Sequence, residues 1–335
     1  MLLNQIKFKG SVKFDVQSIL KIVQYNYKEG QSFMNIILFA GQGAQYAGMG
    51  KDIFEKYPEA AAVMKTGSEI LGYDLEKVCF DESFTELSRT VYAQPAIMAM
   101  ELMCFEAAKK NGLKFDAVAG HSLGEYAAFV ASGMLSPEDG FRVIKARAEA
   151  FDRVASVTDG KMAAILKLTA DQVREVCESV DGYVVPVNYN SPAQTVIAGE
   201  SPAVDKACEK FAELKARVAV LKTESAFHSE IMKPASEEFH EKIKDIKFNA
   251  PSVKFFSNLL GAELTDFSDM PSFLAKHVVS PVLFTDELAA VKEAGFDKYI
   301  ELGPGRTLTG LVKKTLEDVT AFNCDTAESI ENAEF

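Results

Sequence analysis

The sequence has no tryptophan, only four histidines, no Cys-x-x-Cys pair and no long basic run in its 335 residues. Each absence excludes a class of function. With a net charge of −12 and no dense cluster of Lys and Arg to neutralise a phosphate backbone, a nucleic-acid partner is not expected. No apolar stretch approaches the roughly 20 residues that span a bilayer, so no membrane partner is expected either. The N-terminus lacks an apolar core followed by small residues, which argues against a secretory signal and for a cytoplasmic location. Five cysteines, an odd number without a pairing motif, fit reduced and buried thiols better than a disulfide frame or a zinc site. What remains is the composition of an ordinary globular protein, 48% hydrophobic and 25% charged.

The most informative stretch present is Gly120-His121-Ser122-Leu123-Gly124. Phe115 to Gly120 reads as a buried strand and Leu123 onward as a helix, so the serine falls on the sharp turn between them. This G-x-S-x-G arrangement is a nucleophile elbow, in which two glycines let strand and helix pass closely while Ser122 is held exposed and strained. The amide of Leu123, at the helix start, is placed to donate to an oxyanion. Small-residue turns of this kind also occur as inert packing solutions, so the motif does not stand alone.

Residues 1–33 differ from the rest of the chain: they carry scattered lysines and no docking signals, and we read them as an N-terminal extension that is disordered or not native. Lys28-Glu29-Gly30 stands just before Met34 and can be encoded by a purine-rich tract of the kind bacterial ribosomes pair with. The compact chain is expected to start at Met34, where Asn35 to Ala40 reads as a buried strand running into the glycine-rich turn Gly41-Gln42-Gly43-Ala44-Gln45. That turn lacks the spacing of a nucleotide-binding loop. Helical patterns before the elbow, and a strong helix start at Ser136-Pro137-Glu138-Asp139 after it, give the rhythm of a parallel α/β sheet.

The helix after Ser136 carries an apolar stripe, Phe141, Ile144, Ala148, Phe151 and Ala155, at about 100° per residue. Arg147 falls inside it. A buried arginine must find an anion, either a structural carboxylate or a substrate carboxylate held by its two-pronged fork. From Lys161 the pattern changes to strand, helix, strand, strand, helix, strand, the βαββαβ order of a ferredoxin-like unit. The fold expected is therefore a large α/β-hydrolase-like parallel-sheet domain (34–156 and 230–325) with an inserted small domain (157–229) and a frayed, acidic C-terminal tail (326–335). His228 lies in the loop leaving the small unit, where binding residues concentrate, and is the favoured base for Ser122. Lys206, Lys210, Lys215, Arg217 and Lys222 make a candidate partner surface, as do Lys313 and Lys314.

Taken together, Gly41-Gln42-Gly43-Ala44-Gln45, Gly120-His121-Ser122-Leu123-Gly124-Glu125, Arg147, Asn188 to Gln194, Ala226-Phe227-His228 and Glu301-Leu302-Gly303-Pro304-Gly305 resemble, in order and spacing, the malonyl-CoA:acyl carrier protein transacylases. The resemblance covers roughly Met34 to Asn323. It implies that Ser122 is the nucleophile, His228 its base, and the amides of Gln42 and Leu123 the oxyanion hole. It further implies that Arg147 forks the malonyl carboxylate, with His121 and Phe227 lining the substrate site. The family orients the base by a backbone carbonyl, at the position of His277 here, where the family often has Gln. The activity implied is ping-pong transfer of malonyl from coenzyme A to the phosphopantetheine thiol of acyl carrier protein, for fatty-acid synthesis or a polyketide line. No cofactor is implied, and a monomer is expected. An α/β-hydrolase thioesterase is the rival, but such enzymes place the acid and then the histidine late in the chain, and nothing after His277 can serve.

Overall fold

The computed structural model describes residues 34–335. These residues form one compact unit, and the expectations for residues 1–33 lie outside the described residues. Strand β1 (Asn35–Phe39) leads through helices α1 (Lys51–Lys56), α2 (Pro58–Leu71), α3 (Leu75–Phe80) and α4 (Thr90–Lys110) to β2 (Ala117–Gly120), α5 (Gly124–Ala131) and α6 (Pro137–Ala155). Then come β3 (Gly160–Leu166), α7 (Ala170–Glu178), β4 (Val184–Ser191), β5 (Gln194–Glu200), α8 (Ser201–Glu213) and β6 (Arg217–Val220). The chain closes with α9 (Lys233–Ile243), β7 (Lys254–Ser257), β8 (Ala262–Glu263), α10 (Met270–Val278), α11 (Phe284–Glu293), β9 (Lys298–Leu302), α12 (Thr307–Thr315), β10 (Thr320–Cys324) and α13 (Ala327–Glu331).

The large sheet has the order β10-β9-β1-β2-β7-β8 and is parallel except for β8, which pairs antiparallel with β7. Every residue of β1 is buried, as a parallel strand covered on both faces requires. Ile37, Phe39 and Val118 face one core shared with α4, α5 and α6, while Ile36, Leu38 and Ala119 face a second core with α11 and α12. The strand order reverses at β1, with β2 on one side and β9 on the other. Ligands in open α/β sheets gather at the carboxyl ends of strands beside such a switch point, and both the Gly41 loop and the elbow lie there.

The small sheet is antiparallel with the order β4-β5-β3-β6, and with its two helices it is ferredoxin-like. The Thr169 capping box with Gln172 opens α7 as its sequence indicates. One face of the sheet packs Ala163, Ile165 and Ile197 under α7 and α8. Its other face sends Met162, Ala164 and Val196 into the core shared with the large sheet. Strand β4 is also stitched to the segment before α11, with Tyr189 N–H donating to Val282 O at 2.9 Å and Val282 N–H to Val187 O at 2.8 Å.

The C-terminus departs from the frayed tail expected of it. Thr326 and Ser329 form a capping box for α13, Ile330 is fully buried, and the Ala327 amide donates to Asp52 at 2.6 Å. The acidic look of this segment is one face only; Glu331 pairs with Lys56 on α1.

Candidate active site

Ser122 has a φ of 53°, a left-handed conformation unusual for a residue with a side chain. The elbow around it tolerates no bulk: a Cβ on Gly120 would lie 2.2 Å from the Gly124 carbonyl carbon, and one on Gly124 would lie 2.0 Å from Phe39 O. Both glycines are therefore required by close approach of strand β2, helix α5 and strand β1. The amides of Gly124 and Glu125 are taken by the carbonyls of His121 and Ser122, whereas the Leu123 amide has no acceptor among the described residues. It stands at the start of α5, where unpaired N–H groups favour negative charge.

Ser122 Oγ is 2.6 Å from His228 Nε2. His228 is itself left-handed, with a φ of 60°, and buried. Its Nδ1 lies 3.2 Å from His277 O and 3.1 Å from Ser280 O. Both are acceptors only, so Nδ1 carries the proton and Nε2 presents a lone pair to the serine. Burial, then the Arg147 charge and then His121, push the His228 pKa down to about 3, so the free imidazole is neutral and ready to take a proton. No carboxylate is needed to orient it. The His277 side chain is buried with Nδ1 3.6 Å from Glu125 Oε2.

Arg147 sits on α6 with only 2% of its surface exposed. Its guanidinium lies over the rings of Phe151 and Tyr126, at 4.2 and 5.1 Å from their centroids, and donates to Ser122 Oγ at 3.2 Å. It has no ion pair among the described residues, and its Nε has no hydrogen-bond partner. Of the two readings open from sequence, a structural carboxylate paired with it is absent among the described residues. The groups that act on it electrostatically are the Tyr126 hydroxyl and, after it, Glu125, whose carboxyl burial raises to about 8.

These groups open onto a cavity of about 260 Å³ between the two sheets, lined by Gln42, His121, Ser122, Arg147, Phe227 and His228 among others. The Gln42 side chain is held away by Thr90 (3.1 Å) and Gln94 (3.1 Å) on α4, which fixes the loop that carries its amide. His121 Nε2 bonds Asn190 Oδ1 at 2.7 Å, tying the elbow to β4, and Phe227 packs on Phe151 at 5.1 Å between ring centroids. Seven of the eight residues singled out from sequence thus meet at the site through side chain or backbone, and Leu123 stands behind them through its amide. Asn190 lies in the Asn188 to Gln194 stretch that carries the resemblance, though the resemblance implies no role for it, and two contributors carry no local sequence signal: Ser280, which adds the second carbonyl to His228, and Asn258, whose side chain accepts the Ser122 amide proton at 2.5 Å. Only folding brings them there.

A serine, a neutral histidine 2.6 Å away and a free amide at a helix start are the parts of an acyl-transfer centre. The family model described as "Acyl transferase domain" matches residues 36–334. The chain belongs to this acyl transferase family. Within it, the malonyl CoA-acyl carrier protein transacylase of Bacillus subtilis (strain 168) is 35% identical over 300 residues, covering 88% of this chain and 95% of the relative. The crystal structure of the malonyl CoA-acyl carrier protein transacylase from Clostridium perfringens has a TM-score of 0.85 and 37% identity, covering 89% of this chain and 95% of that one. A malonyl-transacylase solved in complex with its type II PKS acyl-carrier protein also has a TM-score of 0.85, at 29% identity over 89% of this chain and 97% of that one. No helix among the described residues is long and apolar enough to cross a membrane.

Proposed function

We propose that this chain moves a malonyl group from coenzyme A to the phosphopantetheine thiol of acyl carrier protein through a malonyl ester of Ser122. The observation that carries the reading is Arg147, a buried cation with no ion-pair partner among the described residues, 3.2 Å from the nucleophilic oxygen. A plain esterase needs no such group. A malonyl thioester supplies the missing anion at the right distance from its reacting carbonyl, and the relatives named above act on malonyl-CoA by name.

In the first half-reaction Ser122 Oγ attacks the thioester carbonyl while its proton passes to His228 Nε2. The resulting oxyanion is held by the amides of Leu123 and Gln42. Collapse breaks the C–S bond, and the coenzyme A thiolate leaves with the proton from His228. In the second half the carrier's pantetheine thiol gives its proton to His228, attacks the ester, and restores Ser122. Each proton and bond is accounted for by the protein and its two substrates, so the scheme uses no cofactor.

The carboxylate also assists the base. Arg147's charge is one cause of the low His228 pKa, so a carboxylate bound to Arg147 offsets it and makes His228 a stronger base when the correct substrate arrives. We place the enzyme in the cytoplasm and assign it a monomer, with residues 157–229 as its small domain. We assign its malonyl units to fatty-acid synthesis, with a polyketide line as the second reading because one neighbour was solved with a type II PKS acyl-carrier protein. The test is transfer of radiolabel from malonyl-CoA: label should remain on the intact protein, pass slowly to water and quickly to carrier protein. Release to water as fast as to carrier would make the protein a hydrolase instead.

A further inference from the structure

Strand β7 leaves its ladder with β2 just below the nucleophile. The pairs Ala117↔Lys254 and Val118↔Phe255 are parallel and in register, and Lys254 N–H donates to Asp116 O at 3.1 Å. Continuing that register sets Asn258 opposite His121. In a regular parallel ladder the backbone of Asn258 would then donate to Gly120 O and accept from Ser122 N–H. Neither bond is made by its backbone. Its N–H goes instead to Glu125 Oε1 at 2.5 Å and its C=O accepts from Leu283 N–H at 2.9 Å.

The side chain makes both missing bonds. Asn258 Oδ1 accepts Ser122 N–H at 2.5 Å, and Nδ2 donates to Gly120 O at 2.6 Å and also to Glu287. A carboxamide has the same donor and acceptor pair as a peptide group, and here it stands in for one. On the other side of β2, His121 N–H is held by Phe39 O at 3.0 Å, so the residue before the nucleophile is bridged on both flanks. Asn258 is fully buried.

We propose that Asn258 is a positioning residue for acyl transfer: its carboxamide replaces a peptide group in the β2–β7 ladder and so fixes the orientation of Ser122 and of the Leu123 amide beyond it. It occupies the Ser122 amide, which leaves the Leu123 amide as the donor at the turn, and it holds a backbone whose positive φ would otherwise relax. Glu125 on α5 and Glu287 on α11 hold Asn258 in turn, and His277 on α10 faces Glu125 from the far side. Freed from the ladder, the chain after β7 turns away and leaves the carboxyl end of β2 open to substrate.

The inference rests on Ser122 as nucleophile, and the experiment separates it from the choice of acyl donor. Labelling of Ser122 is followed by intact mass in wild type, Asn258→Ala and Asn258→Asp, with malonyl-CoA and in parallel with a fluorophosphonate, which needs an activated serine but no carboxylate site. The alanine variant should label about a hundredfold more slowly with both reagents, the scale expected for a misplacement of about 1 Å. Its half-saturation by malonyl-CoA should stay within about threefold, and every molecule should still label at the end point. The aspartate variant, with at most one donor hydrogen in place of two, should fall between, roughly tenfold slower than wild type. A wild-type rate in the alanine variant, or a loss confined to the end point as misfolding would give, overturns the proposal. If the alanine variant does not fold, a wild-type rate in the aspartate variant overturns it. Wild type that takes the fluorophosphonate but not malonyl would sink the malonyl assignment and leave the Asn258 comparison intact.

Discussion

The two halves of the site are built on opposite principles. On the Ser122 and His228 side the nucleophile and base are held by the protein itself, with the Leu123 amide left free among the described residues: two backbone carbonyls hold His228 Nδ1, Nε2 meets the serine, and a side-chain amide holds the serine's backbone. On the Arg147 side a guanidinium is buried among aromatic rings with one long bond to Ser122 Oγ and an unpartnered Nε. The first half is complete without substrate and belongs to the folded state. Under the proposed function the second is completed by the substrate's carboxylate, so binding free energy would be gained where the acyl group is chosen and not where the bond is broken. The difference separates the power to acylate from the choice of what is acylated.

Disabling one half at a time sharpens that comparison. The largest loss should come from His228→Ala, because a positioned base contributes roughly 10²–10⁴-fold. It should slow Ser122 acylation by malonyl-CoA and acetyl-CoA alike, measured by intact mass against time. A loss confined to malonyl-CoA would mean that the base is not shared between substrates.

The pH dependence links the halves. His228 is held at about 3 against an ordinary 6.5, so the unfolded chain takes up this proton first as pH falls. Its contribution to stability is therefore full above about 6.5 and is lost as pH drops towards 3. For acetyl-CoA, which leaves Arg147 uncompensated, kcat/KM should show no break near the ordinary histidine pKa, and Arg147→Ala should move the acid limb to higher pH because a cause of the depression is gone. An unmoved limb would show that the two groups do not interact.

The smallest effect expected is on the acyl chain itself. Phe227 lines the cavity and is braced by Phe151, the ring that also stacks on Arg147. It should crowd a branched α-carbon, so malonyl is preferred to methylmalonyl, and a contact of that size is worth only about 1–3 kcal/mol. Phe227→Ser should narrow the ratio of kcat/KM for the two substrates by roughly tenfold. An unchanged ratio would assign Phe227 to packing alone.

Sequence and structure agree where the determining forces are local. The elbow, the strand before Gly41, the Ser136 and Thr169 caps and the buried register of Arg147 are each set by residues within a turn or two. Asn258 and Ser280 act on residues 136 and 52 positions away, and their neighbours in sequence give no hint of it. Strand β10 is hidden for a related reason: it is as short as β1 but lies at the sheet edge with Thr320 exposed and Phe322 and Asn323 half-buried, so it lacks an apolar run and only pairing with β9 defines it. The tail reads as frayed because its acidic surface masks the buried Ala327 and Ile330 that dock it.

The most direct test of the account is the response of acylation to Arg147→Ala. Charge-assisted hydrogen bonds contribute roughly 1.5–3 kcal/mol each, and about 1.4 kcal/mol is tenfold, so the rate with malonyl-CoA should fall at least about a hundredfold. Acetyl-CoA brings no carboxylate to the buried charge, so its acylation of Ser122 should be unchanged or faster, and Arg147→Lys should restore malonyl transfer only in part because an ammonium lacks the fork. Intact-mass time courses with both thioesters in all three proteins give the answer. Equal losses for malonyl and acetyl groups would contradict the account, for Arg147 would then support the fold and not select the substrate.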